Sequence, residues 1–517
     1  MRRRGLLALF GVTVVIIAAS LVALVLDARR ITGTPEAAGR AYLDAWAAEN
    51  LPSMREMVFS PPADFLDQHR RLSTDLQVLS IKLTPGTLVR HGERAADLPF
   101  EGVRQIGELG QWRFSSVLHL AVRDGAWKVV WTPQTLHPGV AAGERLRLAE
   151  IPVPGTELLT RQGRPLPHAS GAETYLRDLS GKVDDFYDAP SAGWAIEAGT
   201  SAGRSRNLVV FRRPAERTFR TTLDWWTQAA AARALDGLDR PAAVVAVRPS
   251  TGEVLAVADR LAGQGAFYQP APPGSTFKIV TAAALLGDGM SADTPVPCPA
   301  RYTIPNGRTF TNHDDQDHGT VSLRRAFALS CNTTFARLAV ERLGDGALRR
   351  EATELGFGGD LKSGIGGTCG TMRRAGDRDE LGADAIGQNS VQATPLCMAL
   401  VAAAVRDGTW RPPRLMSEKA VKRLEIDGRP KPRRMPGPVV AQLRSMMAAV
   451  VTEGTAAGSA LPGGVAGKTG TAETGTGEDH SWFVGYRGDL AFAVFVEHGG
   501  AGAGAAATVA ARFLGAL

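Results

Sequence analysis

Residues 272–286 read PPGSTFKIVTAAALL, and the interpretation of the C-terminal half turns on this stretch. Pro272, Pro273 and Gly274 specify a rigid turn. Ser275 then opens a helix whose apolar continuation predicts burial. Lys278 follows three residues later, so both side chains share one helical face. A serine hydroxyl is a weak nucleophile and needs a base. A lysine serves as that base when burial and neighbouring charge lower its pKa. The helix N-terminus adds a dipole that favours a developing oxyanion. Alone, S-x-x-K arises by chance in many helices.

Two further short motifs lie downstream. Ser330-Cys331-Asn332 sits between two helix-like stretches of LRRAFALSCNTTFARLAVERL (323–343), where a turn can point a hydroxyl and an amide into one cleft. Ser and Asn are also ordinary capping residues. Lys468-Thr469-Gly470-Thr471 follows glycines and precedes a hairpin, so it should begin a strand. Lys468 supplies charge, Thr469 and Thr471 supply hydroxyls, and Gly470 leaves space for a substrate backbone. A phosphate-binding lysine is the competing interpretation. The P-loop pattern needs a glycine where Pro462 stands and a helix after the lysine, so nucleotide binding is rejected.

Strand signals flank these motifs. PAAVVAVRPSTGEVLAVAD (241–259) reads as two β-runs around the turn Pro249-Ser250-Thr251-Gly252. Residues 481–486 and 490–497 read as two more, joined by Arg487-Gly488-Asp489, with a terminal helix near 505–517. Long helical stretches lie between. The expectation is one antiparallel sheet, split in sequence and packed by helices.

In order, the motifs are S-x-x-K at 275–278, S-x-N 55 residues on, and K-T-G a further 138 on. With RPSTGEVLAVAD, AIGQNSVQATPLCMA (385–399), VTEGTAAG (451–458) and HSWFVGY (480–486), residues 221–517 resemble the transpeptidase domain of class B penicillin-binding proteins. The resemblance implies a peptidoglycan DD-transpeptidase. Ser275 would form the acyl-enzyme with a D-Ala-D-Ala stem peptide, and Lys278 would take its proton. Ser330 with Lys468 would relay a proton to the leaving D-Ala. Asn332 would hold the donor amide and orient Lys278. Lys468, Thr469 and Thr471 would bind the terminal carboxylate. The backbone N–H groups of Ser275 and Thr471 would form the oxyanion hole. β-Lactam antibiotics would trap Ser275, and no metal or other cofactor is implied. A SEDS-family glycosyltransferase is the expected partner.

The N-terminal part points the same way. Gly5 to Leu26 carries no charge across 22 residues, a helix of about 33 Å that spans a bilayer core. Arg2, Arg3 and Arg4 keep the N-terminus cytoplasmic, so residues 1–30 read as a single-pass anchor to the cell membrane and the rest as extracytoplasmic. The net charge is +7, of which residues 1–30 hold +4, so the basic excess flanks the anchor and nucleic-acid binding is a poor fit. Residues 34–145 combine an amphipathic helix, Pro35 to Glu49, with a hairpin turning at Asp124-Gly125. They resemble the NTF2-like domain of the methicillin-resistance type of penicillin-binding protein, a cone read here as a spacer. Residues 146–220, rich in Pro, Gly, Arg and Asp, read as an extended linker domain similar to the family's dimerisation domain. There, PGTELLTRQGRPLP (154–167) only echoes the family strand R-G-x-I-x-D-R-x-G, with Thr160 near the acidic position. The predicted architecture is multidomain α+β. Cys298, Cys331, Cys369 and Cys397 do not have zinc spacing and predict zero or one disulfide.

Two other functions compete. A serine β-lactamase or β-lactam sensor shares S-x-x-K and K-T-G but needs a deacylating base, for which Glu351 and Glu354 are candidates by position, both expected on a solvated helix. A non-catalytic cell-wall scaffold predicts eroded motifs, and all three are intact.

Overall fold

The computed structural model describes residues 31–184, 192–200, 203, 205–424, 428–475 and 477–517. The apolar stretch Gly5–Leu26, predicted to be an anchor, lies outside them. Among the described residues no helix is long and apolar enough to cross a membrane. The described residues fold as two compact units, one from residues 31–154 with 192–216 and one from residues 155–184 with 217–517.

The first unit is α+β. Helix α1 (Pro35–Ala47) starts where Thr34 accepts a hydrogen bond from the Ala37 N–H at 3.2 Å and Pro35 takes the first helical position. It buries Tyr42, Leu43 and Trp46. Helices α2 (Leu51–Met57) and α3 (Phe65–Asp75) follow. Strands β1 (Val78–Pro85), β2 (Ala95–Ile106), β3 (Gly110–Arg123) and β4 (Ala126–Val129) then form an antiparallel meander. The β3–β4 turn has Asp124 and Gly125 at φ of 51° and 76°, the left-handed pair that a two-residue hairpin requires. A second sheet joins β5 (Arg145–Ile151), β6 (Gly193–Gly199) and β7 (Arg206–Arg212).

Arg104 is fully buried in this core. Its guanidinium lies 4.1 Å from the Phe114 ring, 5.1 Å from Trp112 and 5.6 Å from Trp46, and donates to the Leu136 carbonyl at 2.9 Å. Aromatic faces thus stand in for a carboxylate, and burial lowers the pKa to about 9.

The second unit holds a five-stranded antiparallel sheet. Strands β8 (Ala242–Val247), β9 (Val254–Asp259), β10 (Ala466–Ala472), β11 (His480–Arg487) and β12 (Leu490–Val496) are ordered β9-β8-β12-β11-β10. The early hairpin and the late strands therefore join into one split sheet, as their sequence patterns predict. All six residues of β8 are buried, so this strand is covered on both faces. Helices α4 (Trp225–Ala234) and α11 (Ala505–Gly515) pack on the sheet, as does α9 (Pro395–Asp407). Between early and late strands run α5 (Lys278–Gly287), α6 (Leu323–Ala328), α7 (Asn332–Leu338), α8 (Gly344–Glu354) and α10 (Gly437–Thr452).

Residues 146–220, expected to form one linker, are divided between the units. In the second unit, strand Glu157–Leu159 pairs in parallel with Thr218–Arg220. Thr160 is buried just after it, its hydroxyl donating to the Arg164 carbonyl at 2.9 Å and accepting from the Arg164 N–H at 3.2 Å. It is the local cap of a tight turn.

The cysteines correct the sequence reading. Cys298 bridges Cys331 and Cys369 bridges Cys397, with Cα separations of 6.1 and 4.5 Å. Tertiary contact across 33 and 28 residues creates both pairs, and no local pattern encodes it.

At the middle of the outer edge of β9 a side chain takes the place of a backbone partner. Gln228 on α4, fully buried, donates to the Val257 and Ser170 carbonyls, each at 2.8 Å, and accepts from the Val257 N–H at 2.8 Å. Its amide replaces a neighbouring strand. Gln228→Leu keeps the volume and leaves three backbone groups unpaired. Chemical denaturation should show a loss of about 2–3 kcal/mol, and no change would mean that water satisfies that edge.

Candidate active site

The nucleophile turn is clamped by backbone. Gly274 has φ +51°, and its N–H donates to the Gly387 carbonyl at 3.0 Å. A Cβ at Gly274 would lie 2.2 Å from the Thr471 carbonyl oxygen, and one at Gly387 would lie 2.0 Å from that of Gly274. Only glycine fits either position. Trp482 on β11 donates its indole N–H to the Pro272 carbonyl at 2.9 Å. Gly274–Phe277 forms a 3-10 turn, and the α-helix begins only at Lys278, a tighter start than the sequence predicts. Residues Lys278 to Leu286 are all buried.

Lys278 is the hub. Its Nζ lies 3.0 Å from Ser275 Oγ, 2.7 Å from the Ser330 carbonyl, 3.3 Å from Ser330 Oγ and 2.6 Å from Asn332 Oδ1. Its pKa is pushed well below the usual lysine value by burial, with the charge of Lys468 adding to the shift. A neutral amine has two protons and one lone pair. The two shortest contacts are oxygens that only accept, so they take the two protons. The lone pair is left for a hydroxyl, and Ser275 Oγ is the nearer one. The arrangement can therefore deprotonate Ser275.

Ser330 adopts φ +59°, a left-handed conformation costing about 1–2 kcal/mol for a non-glycine residue. That conformation turns its carbonyl and hydroxyl toward the same amine. Asn332 starts α7 and donates its Nδ2 to the Thr311 carbonyl at 3.0 Å, which aims Oδ1 at Lys278.

Lys468, Thr469, Gly470 and Thr471 lie in the middle of β10, at the free edge of the sheet, rather than at a strand start. Lys468 is fully buried, 3.1 Å from the Thr469 carbonyl and 5.6 Å from the Phe327 ring, and burial lowers its pKa to about 7. A Cβ at Gly470 would lie 2.7 Å from Thr276 Cγ2 and 2.8 Å from the Pro273 carbonyl oxygen. This glycine makes room for the nucleophile turn, a reason the sequence did not reveal. The Thr471 hydroxyl accepts from the Gly502 N–H at 3.1 Å.

The sequence reading assigned no role to Thr455, Gly387 or Gly502. Thr455 shares a hydrogen bond of 2.6 Å with the Thr469 hydroxyl and so orients it. The only sequence signal was the place of Thr455 in VTEGTAAG and of Gly387 in AIGQNSVQ, and Gly502 had none. Glu351 and Glu354 are helical as expected, but burial raises Glu351 to about 7, with Glu354 adding repulsion. They line a groove with Ala284 and Gly287, at the end of α5 remote from Ser275, where neither serves as a deacylating base.

Known proteins resemble the chain along these two units. Residues 242–515 match the penicillin binding protein transpeptidase domain, and residues 34–144 match the NTF2-like N-terminal transpeptidase domain. The peptidoglycan D,D-transpeptidase PbpA of Mycobacterium tuberculosis is 31% identical over 305 residues, 50% of this chain; the match spans only 62% of that relative's length. The solved penicillin G acyl-enzyme complex of penicillin-binding protein A from M. tuberculosis aligns with a TM-score of 0.52 and 28% identity, over 59% of this chain and 81% of that one. Pseudomonas aeruginosa PBP2 in complex with WCK 5153 aligns with a TM-score of 0.56 and 25% identity, over 72% and 96%. The transpeptidase match alone takes in more than half of the residues, and the chain belongs to the penicillin-binding protein transpeptidase family.

Proposed function

We propose that the chain is a class B penicillin-binding protein, a peptidoglycan DD-transpeptidase that cross-links stem peptides through an acyl-enzyme on Ser275. The observation that carries this reading is the buried Lys278 amine 3.0 Å from Ser275 Oγ, its shortest contacts being oxygens that only accept. Ser275 attacks the carbonyl of the penultimate D-Ala as Lys278 takes the hydroxyl proton. The backbone N–H groups of Ser275 and Thr471 receive the oxyanion. Collapse breaks the peptide bond, and Ser330 with Lys468 returns a proton to the departing D-Ala amine. An amine from a second stem peptide attacks the ester and frees Ser275. The donor peptide lies antiparallel along the edge strand β10, where Lys468, Thr469 and Thr471 hold its carboxylate and Asn332 its amide. β-Lactams acylate the same serine.

In this reading residues 1–30 anchor the protein in the cell membrane, with everything after them on the extracytoplasmic side. Residues 34–145 are the NTF2-like spacer, 146–220 the linker, and 221–517 the transpeptidase domain. A SEDS-family glycosyltransferase supplies the glycan strands.

Labelling of the full chain in detergent with fluorescent penicillin tests the assignment. Wild type should carry a stable covalent label, Ser275→Ala none, and Lys278→Ala should label about 10²–10⁴-fold more slowly. Rapid release with drug turnover would identify a β-lactamase instead. Failure of wild type to label, or to turn over a peptide thioester, would overturn the reading.

The pH profile gives a second test. The base must be neutral, so acylation should fall as pH drops through the depressed pKa of Lys278. The carboxylate clamp must be charged, and the folded pKa of Lys468 is lowered to about 7, so its charge is lost as pH rises above that value. The second-order rate constant for a carboxylate-bearing substrate should therefore be bell-shaped. Lys468→Arg keeps its charge and should remove the alkaline limb, whatever its effect on the maximum.

A further inference from the structure

The S-x-N turn is gripped from outside by an insertion. Between α5 and α6, strand Pro295–Pro297 pairs with Thr320–Ser322, and Arg301–Thr303 pairs with Thr309–Thr311. This insertion reaches the start of α7 at every residue from 331 to 334. Cys331 is bonded to Cys298. Asn332 Nδ2 donates to the Thr311 carbonyl at 3.0 Å. The Thr333 N–H donates to Asn312 Oδ1 at 3.2 Å, and its hydroxyl donates to the Pro299 carbonyl at 2.8 Å. The Thr334 hydroxyl donates to the Pro297 carbonyl at 2.7 Å.

Cys331 occupies the N-cap position of α7, where a Ser, Thr, Asp or Asn would normally bond to the helix, and it makes no such cap. The cap comes from Asn312, and Cys331 commits its side chain to the bridge. Its two neighbours are the residues that hold Lys278, and one of them, Ser330, stands in a left-handed conformation that its surroundings must enforce. The ladders of the insertion are three residues long, and among the described residues one covalent cross-link, the bridge, ties it to the turn.

We propose that Cys298 and Cys331 are positioning residues for catalysis: their disulfide holds Ser330 and Asn332 at the distance that keeps the Lys278 amine dry and aimed at Ser275. This rests on the transpeptidase reading. The bridge acts through Lys278 and touches no substrate. Acylation is then tied to an oxidised Cys298–Cys331 pair, whereas the Cys369–Cys397 bridge, which ties the chain after residue 368 to the start of α9, is structural.

The test compares full-length Cys298→Ser/Cys331→Ser with Cys369→Ser/Cys397→Ser, reading fluorescent-penicillin acylation across pH beside thermal unfolding. Lys278 faces one charged group that lowers its pKa, Lys468 on β10, and burial is the larger cause. Loosening the turn admits water and raises the Lys278 pKa. The Cys298/Cys331 variant should acylate at least tenfold more slowly at neutral pH, with its acid limb displaced upward and partial recovery in alkali. The Cys369/Cys397 variant should keep the wild-type limb. Folded wild type treated with tris(2-carboxyethyl)phosphine, its bridges scored by mass spectrometry, reaches the same state without reliance on a variant folding, and should show the same displacement. An unmoved acid limb, with or without a lowered unfolding temperature, would overturn the proposal. Wild type that never acylates would instead refute the transpeptidase reading.

Discussion

A lysine amine removed from water organises everything around it. Lys278 is buried at the head of a helix with no exposed residue before Gly287, and the charged form of such a group is disfavoured unless carboxylates surround it. None of its hydrogen-bond partners is a carboxylate. Its neighbours are a strained carbonyl, two hydroxyls and an amide oxygen, and the nearby charge is the positive one of Lys468. These features keep the amine neutral and leave a single productive direction for its lone pair. The glycines at 274, 387 and 470 serve the same end, because each allows a backbone approach that fixes the nucleophile turn against the sheet.

Much of this was legible in the sequence. Continuous apolar runs located four of the five strands of the split sheet, the K-T-G strand was placed by its position before a hairpin, and the Asp124-Gly125 and Pro249–Gly252 turns located two hairpins, because period and turn chemistry are local properties. The three motifs were legible for another reason. Each is a short run whose spacing survives any fold, and their order carries the information that none has singly. The structure gathers Ser275, Lys278, Ser330 and Asn332 around one nitrogen.

What escaped the sequence depends on contacts between distant segments. Neither disulfide follows from spacing, since each joins a loop to a helix start that meet only in the folded chain. Thr455 has no local mark that distinguishes it from a helix-terminal threonine, yet it orients the hydroxyl of Thr469. Gly470 was read as space for a ligand, whereas its nearest neighbours are Thr276 and Pro273 of the same chain. Arg104 looks in sequence like any surface arginine in a strand, and three rings bury it.

The strand order has a consequence for how the protein is made and how it fails. β12 sits at the centre of the sheet, between β8 and β11, yet it is the last strand in chain order. The nucleophile segment is synthesised long before the strand that joins the two halves of its platform exists. Until β12 emerges, β8 has one free edge and the β10–β11 hairpin has no strand joining it to the β8–β9 hairpin. Completion of the sheet is therefore a single non-local closure of the kind that slows folding. A premature stop a few residues before β12 would remove only a small share of the mass, but it would take out the middle of the sheet. Chains cut before β12 should thus lose the fold of the second unit rather than behave as shortened enzymes.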